Sequence, residues 1–148
     1  MGKKNKTPKI IQSPETIKKP KYLKNPEGYE NKLIAWHFHR MDKEGVWACN
    51  YEIIKNISNR LHEYEIKKWN EITDERSNHP MPTNKIEKSA QKRLTELGID
   101  DTETLYQIDI KGIRKKNSRL WGIRQENIFQ VLWWDLNHTV YIPNKYKK

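Results

Sequence analysis

Arg119, Asp135 and His138 lie close together in the stretch RLWGIRQENIFQVLWWDLNHTVY, residues 119–141. A guanidinium, a carboxylate and an imidazole suit metal-independent phosphodiester transfer. The cation offsets phosphate charge and the imidazole moves a proton near neutral pH. Arg119 opens one expected strand, and Asp135 and His138 bracket the turn that ends the next. Antiparallel pairing across the short QEN turn brings these ends together. The basic loop Arg114-Lys115-Lys116 stands just before Arg119. His79, in the loop SNHPMP, is a further proton-transfer candidate. Arg124, Lys88 and Lys92 are further phosphate contacts. Each has a plain structural alternative. Asp135 can cap the DLNH turn with His138 solvated behind it, His79 can be an ordinary loop residue, and Lys88, Lys92 and Arg93 can be the solvated face of a helix.

Other chemistries have less to stand on. His37 and His39 sit two apart on an expected strand and face the same way, but no third ligand has a clear spacing, so no metal site is expected. Nothing resembles a P-loop, a dinucleotide fingerprint or a serine elbow, so no cofactor is expected either. Cys49 is the only cysteine, which excludes a disulfide framework or a zinc knuckle and suggests a cytoplasmic address. No apolar run approaches the roughly 18 residues of a membrane span, so no membrane is expected as a partner.

Alternating and helical patterns outline the elements that must hold these residues. LIAWHFHRMD, residues 33–42, alternates as a strand. Asn50 can cap a helix whose face is Ile53, Ile57, Leu61 and Tyr64, with an extension to Trp69 or Ile72. The stretch TDERSNHPMPTN breaks the pattern, and Asn84 with Glu87 resembles a capping box for a second helix carrying Ile86, Ala90, Leu94 and Leu97 up to Gly98. Strands then follow. Tyr106, Ile108 and Ile110 form one face, and 119–124 and 128–134 pair across the QEN turn. In the last strand Phe129, Val131 and Trp133 share one side while Ile128, Gln130, Leu132 and Trp134 share the other, so both sides are apolar and the aromatics are core. Gly122 leaves room beside bulky partners. The expected fold is α+β: a strand, two helices on one face of a sheet, then an antiparallel meander of three or four strands.

The chain of 148 residues carries a formal charge of +10, which makes a polyanion the expected partner. Eight lysines against three glutamates place half of that excess in residues 1–30, an arm preceding a single domain at 31–148. Within the arm Pro8, Pro14, Pro20 and Pro26 are each followed three residues later by Ile11, Ile17, Leu23 and Tyr29. In a polyproline II helix all eight would form one apolar stripe. The arm is then either a strap along the domain or a partner, or a disordered basic tail.

The residues RLWGIR and LWWDLNHTVY, with WHFHRMD and GVW earlier, resemble a family of uncharacterised bacterial proteins ending in Arg-x-Trp-Gly-Ile-Arg and then Leu-Trp-Trp-Asp-Pro-x-His-x-Val. The likeness covers most of residues 33–141 and departs from the family at Leu136, where the family usually has proline. More distantly, the element order resembles the RelE/ParE superfamily of small basic toxins, some of which cleave mRNA on the ribosome without metal. That resemblance implies a RelE-like endoribonuclease of a toxin-antitoxin or phage-defence system, with Arg119, Arg124, His138 and Tyr141 in its phosphate-binding and proton-transferring parts. Its partners would be RNA or the ribosome and a small acidic antitoxin-like protein. The alternatives are a non-catalytic nucleic-acid- or ribosome-binding protein, or an interaction module that uses the arm.

Overall fold

The computed structural model describes residues 28–110 and 118–144. Residues 1–27 of the arm and the loop with Arg114, Lys115 and Lys116 lie outside the described residues. In chain order the elements are β1 (Ala35–His37), α1 (Tyr51–Glu65), α2 (Trp69–Thr73), β2 (His79–Pro82), α3 (Lys88–Glu96), β3 (Thr104–Asp109), β4 (Arg119–Gln125) and β5 (Ile128–Asp135). They build an α+β fold on a five-stranded sheet of order β1-β5-β4-β3-β2. Four strands form an antiparallel meander, and β1 joins it parallel to β5.

Asn50 caps α1 as its type predicts, accepting from the amides of Glu52 and Ile53, each at 3.0 Å. Ile57, Leu61 and Tyr64 are its buried positions. The helix does not continue to Trp69. It stops at Glu65, and a new N-terminus forms where the Lys68 amide donates to the Glu71 carboxylate at 2.7 Å. The break redirects Trp69, whose indole N–H reaches the Asn127 carbonyl at 2.9 Å and whose ring meets Tyr106 edge-on at 5.3 Å.

Several expectations need correction. The first strand has three residues rather than the full alternating run. The segment read as a loop around His79 contains a strand, β2, whose Pro80 and Pro82 are tolerated because it is the sheet's outer strand and needs only one bonded edge. The second helix starts at Lys88 behind Glu87, with a 3-10 turn at Thr83–Lys85 and no side-chain cap from Asn84.

The helices also cover opposite faces of the sheet, not one. Ile57, Leu61, Trp69 and Ile72 pack with Tyr106, Ile108, Leu120 and Phe129. Ala90 and Leu94 of α3 pack with Leu105, Trp121, Leu132 and Trp133 on the other side. The intervening edge strand β2 carries the chain from one face to the other.

A β-bulge corrects the faces of β5. Trp121 pairs with Trp133 and Gly122 with Val131, which leaves Leu132 as the extra residue. Phe129 and Val131 therefore face α1 and α2, whereas Trp133 lies on the α3 side. Strict alternation had put all three together. Asp135, two residues on from Trp133, is turned to the α3 side as well, where it meets Trp121. The tryptophans at 121 and 133 are fully buried, as expected of core.

Gly122 sits under the Phe129 ring and against the Gln130 carbonyl, and a Cβ there would overlap both. Phe129 is fully buried and the carbonyl belongs to the sheet, so neither can step aside. Gly122→Ala is expected to lower stability by at least about 2 kcal/mol, read from urea unfolding. A midpoint equal to wild type would refute the close approach.

Candidate active site

Strand register collects the polar residues that lie on the α3 side of the sheet at the end α3 does not cover. Asp135, Arg119 and Asp109 are direct neighbours across β5, β4 and β3. The next row on the same face runs Trp133, Trp121, Gln107 and His79, ending on β2. Neighbours within a row stand about 5 Å apart and the rows about 7 Å apart. Ile110 and Ser118 are joined by a backbone hydrogen bond at 3.2 Å, so the basic loop leaves and re-enters the fold at this same end.

Arg119 is nearly buried, with 11% of its side chain exposed. Its Nη1 stands 3.2 Å from Asp109 Oδ1 and donates to the Ser118 carbonyl at 3.2 Å. Asp109 is fixed from behind, where its amide donates to Asn78 Oδ1 at 2.7 Å and its carbonyl accepts from the Tyr64 hydroxyl at 2.9 Å. Among the described residues the buried Arg119 Nε and Gln107 Oε1 have no hydrogen-bond partner, and Asp109 Oδ1 has only its ion pair with Arg119. Buried polar atoms are rarely left so, and a guanidinium N–H without an acceptor is hydrogen-bonding capacity available to a ligand.

Asp135 is the opposite case. It is fully buried and both oxygens are saturated. Oδ1 accepts from the Thr139 amide at 2.8 Å and its hydroxyl at 3.2 Å. Oδ2 accepts from the Val140 amide at 2.9 Å and Trp121 Nε1 at 3.2 Å. The carboxylate therefore ties the DLNH turn to the core. The turn sets His138 in the left-handed region at φ 59°, half-buried beside the Asp135-Arg119-Asp109 row. Burial pushes the His138 imidazole below its ordinary 6.5, the positive Arg119 pushes it the same way, and Asp135 and Asp109 oppose them. His138 is a neutral imidazole at pH 7, the form that accepts a proton.

His79 is within electrostatic reach of His138, but both of its ring nitrogens are engaged inside the fold. Nδ1 lies 3.0 Å from the Pro80 carbonyl and Nε2 lies 3.2 Å from Gln107 Nε2. Since the carbonyl only accepts, Nδ1 carries the proton and Nε2 accepts from Gln107. Gln107 is itself held by the Ser77 carbonyl at 2.9 Å.

The remaining candidates lie elsewhere. Arg124 is at the far end of β4 and faces α2. It caps the Trp69 ring at 4.1 Å and pairs with Glu30 at 2.7 Å. Tyr141 packs against the α3-side core. Lys88 and Lys92 are exposed on α3. Arg93, grouped with them on a solvated face, instead grips the buried Asp42 with two hydrogen bonds of 2.8 and 2.7 Å. Burial pushes the Asp42 carboxyl up, but Arg93 and the Trp133 indole outweigh this and hold it below its usual value. His37 and His39 are exposed with ring centroids 5.7 Å apart, and no cluster of metal-ligating side chains occurs among the described residues.

Sequence reasoning missed Gln107, Asp109 and Asp42. For the first two the available signal was a pair of polar residues on the second face of a strand that is covered on both sides. Asp42 and Arg93 are 51 residues apart and give no local signal.

No family model, no curated protein and no solved structure matches this chain. No described helix is long and apolar enough to cross a membrane.

The depressed His138 pKa fixes a stability trend. Between the folded value and about 6.5 the unfolded chain binds more protons than the native one, so stability rises with pH across that window. It is fully present above about pH 6.5 and is lost as the pH falls through the folded value. His138→Asn keeps a residue that tolerates positive φ and is expected to flatten this part of the curve. Urea midpoints measured from pH 4.5 to 8 check it, and an unchanged slope would exclude His138 as the source.

Proposed function

We propose that the protein is a metal-independent endoribonuclease, RelE-like in its chemistry and acting in a toxin-antitoxin or phage-defence setting. Arg119 is the phosphate-binding group and His138 the proton acceptor. The observation that carries this reading is the convergence of a neutral imidazole and a nearly buried guanidinium, whose Nε has no partner among the described residues, at the sheet end from which the basic loop departs. The reaction needs no cofactor. A ribose 2′-oxygen attacks the adjacent phosphorus, its proton passes to His138, and the bond to the 5′-oxygen breaks as that oxygen takes a proton from water. The products are a 2′,3′-cyclic phosphate and a 5′-hydroxyl. Arg119 offsets the charge that builds on the phosphoryl oxygens.

A second reading is a non-catalytic RNA- or ribosome-binding protein. It is favoured by the two carboxylates flanking Arg119 in its row and by the engagement of both His79 nitrogens. Incubation of the purified protein with RNA and with ribosomes, with and without chelator, separates the two. Cut ends bearing 2′,3′-cyclic phosphate at an undiminished rate in chelator support the enzyme. Salt-sensitive binding with every RNA intact supports the binder.

A further inference from the structure

Arg119 lies on the α3 side of the sheet, yet its direction is set from the other side. Asp109 and the Ser118 carbonyl both take Nη1, the terminal nitrogen on the edge away from the Nε–H. A carboxylate that met the guanidinium side-on would occupy Nε as well, in the two-bond geometry such pairs favour. Asp109 meets it at one point, so it anchors the fork and leaves Nε for a phosphate oxygen. Where Arg119 points therefore depends on what holds Asp109.

Side chains hold it where a strand would be expected. Ile110 bonds to Ser118 on the β4 side, so by the alternation of a ladder the Asp109 amide and carbonyl face the β2 side. The pairing of β2 with β3 ends at His79 opposite Gln107, short of Asp109. Asn78 Oδ1 takes the Asp109 amide at 2.7 Å instead, and the Tyr64 hydroxyl donates to the Asp109 carbonyl at 2.9 Å. Both anchors are buried and themselves fixed. Asn78 Nδ2 donates to the Ile72 carbonyl at 2.9 Å and to the Tyr64 hydroxyl at 3.3 Å, and Arg60 Nη2 donates to that hydroxyl at 3.1 Å. With both lone pairs taken, the hydroxyl has one proton to give, and the Asp109 carbonyl is closer than Glu75 Oε2 at 3.4 Å. A buried network satisfied in this way is rigid.

We propose that Asp109, Asn78 and Tyr64 are positioning residues for phosphodiester transfer: Asn78 and Tyr64 fix Asp109, and Asp109 holds the Arg119 guanidinium with its Nε toward the phosphate. This rests on Arg119 as the phosphate-binding group. Two isosteric substitutions test it in the full-length protein, with folding checked by urea unfolding. Asp109→Asn removes the charge that anchors the fork. Tyr64→Phe removes one anchor of Asp109 and keeps the ring in the core. The probe is a single-stranded oligonucleotide with 2′-O-methyl sugars, which has no 2′-hydroxyl to attack and stays whole.

In wild type, adding the oligonucleotide should move the NMR signal of the Arg119 Nε–H. In Asp109→Asn that response should be lost, and the His138 titration midpoint should fall because a carboxylate opposing its depression is gone. Tyr64→Phe should weaken the response, and it decides alone where Asp109→Asn does not fold. With cleavable RNA, kcat should fall by up to about 10²-fold in Asp109→Asn, the cost of a misplaced contact, and less in Tyr64→Phe, with little change in KM. A wild-type Nε–H response in either folded variant overturns the assignment, and so does an unchanged His138 midpoint in Asp109→Asn. A wild-type Nε–H that ignores the oligonucleotide overturns the phosphate-binding role of Arg119 before any substitution is made. If the signal moves but no RNA is cut, the endoribonuclease reading fails and the positioning of Arg119 stands.

Discussion

Asp135→Ala should unfold far more readily than wild type, by about 4 kcal/mol, the class of loss reserved for stranding several buried donors at once. The Val140 amide and the Trp121 indole N–H lose their acceptor in the core, and the Thr139 amide and hydroxyl lose theirs at its margin. Trp121 is fully exposed to this loss because it is fully buried. Asp135→Asn should fall between the two proteins, since an amide keeps one oxygen for Thr139 and turns its NH₂ toward donors that need an acceptor. Urea unfolding followed by tryptophan fluorescence measures both. If Asp135→Ala lies within about 1 kcal/mol of wild type, the carboxylate is not what holds the turn. This matters for function because a misfolded variant loses every activity. Relief of a growth defect by Asp135→Ala carries no information on catalysis, and the chemical question has to be put to His138 and Arg119.

What the sequence made legible was local. The spacing Ile57, Leu61, Tyr64 marked a helix face, Asn50 its start, and the alternation from Tyr106 onward the meander, because each depends on the period of one element. What it hid depended on partners. A single extra residue at Leu132 reverses the faces of β5 beyond it, and no residue type there announces a bulge. Pro80 and Pro82 read as breakers, yet they are compatible with a strand once that strand is an edge, a property of the sheet rather than of the segment. The helix faces of α1 and α3 are equally apolar whether they share one side of the sheet or take both. The candidate site shows the same division. Arg119, Asp135 and His138 were visible as types brought near each other by a hairpin. Asp109 and Gln107 come from a different strand, and only the register of β3 against β4 places them in the same two rows. Arg124 belonged to the right strand but sits five residues away, about 17 Å at strand rise, on the opposite face over Trp69.

His138→Asn is expected to abolish RNA cleavage by a factor of about 10² to 10⁴, the range contributed by a positioned proton-transfer group, while leaving the fold intact. Asparagine accepts the φ of 59° that the turn imposes on this position, so the backbone has no reason to move. The pH profile separates chemistry from a merely structural role. Wild-type rate should rise with pH through a midpoint below 6.5, because burial and the positive charge of Arg119 hold the imidazole neutral down to lower pH and only the neutral ring accepts the 2′-hydroxyl proton. That limb should vanish from the residual activity of the variant. Arg119→Lys is the companion measurement. It keeps one positive charge near Asp109 but removes Nε and the guanidinium fork, so it should weaken transition-state stabilisation with little change in RNA binding, lowering kcat more than it raises KM. If properly folded His138→Asn cleaves at the wild-type rate with an unchanged pH limb, the proton acceptor lies elsewhere. If it binds RNA as wild type does and neither protein cuts, the non-catalytic binding reading replaces the enzyme.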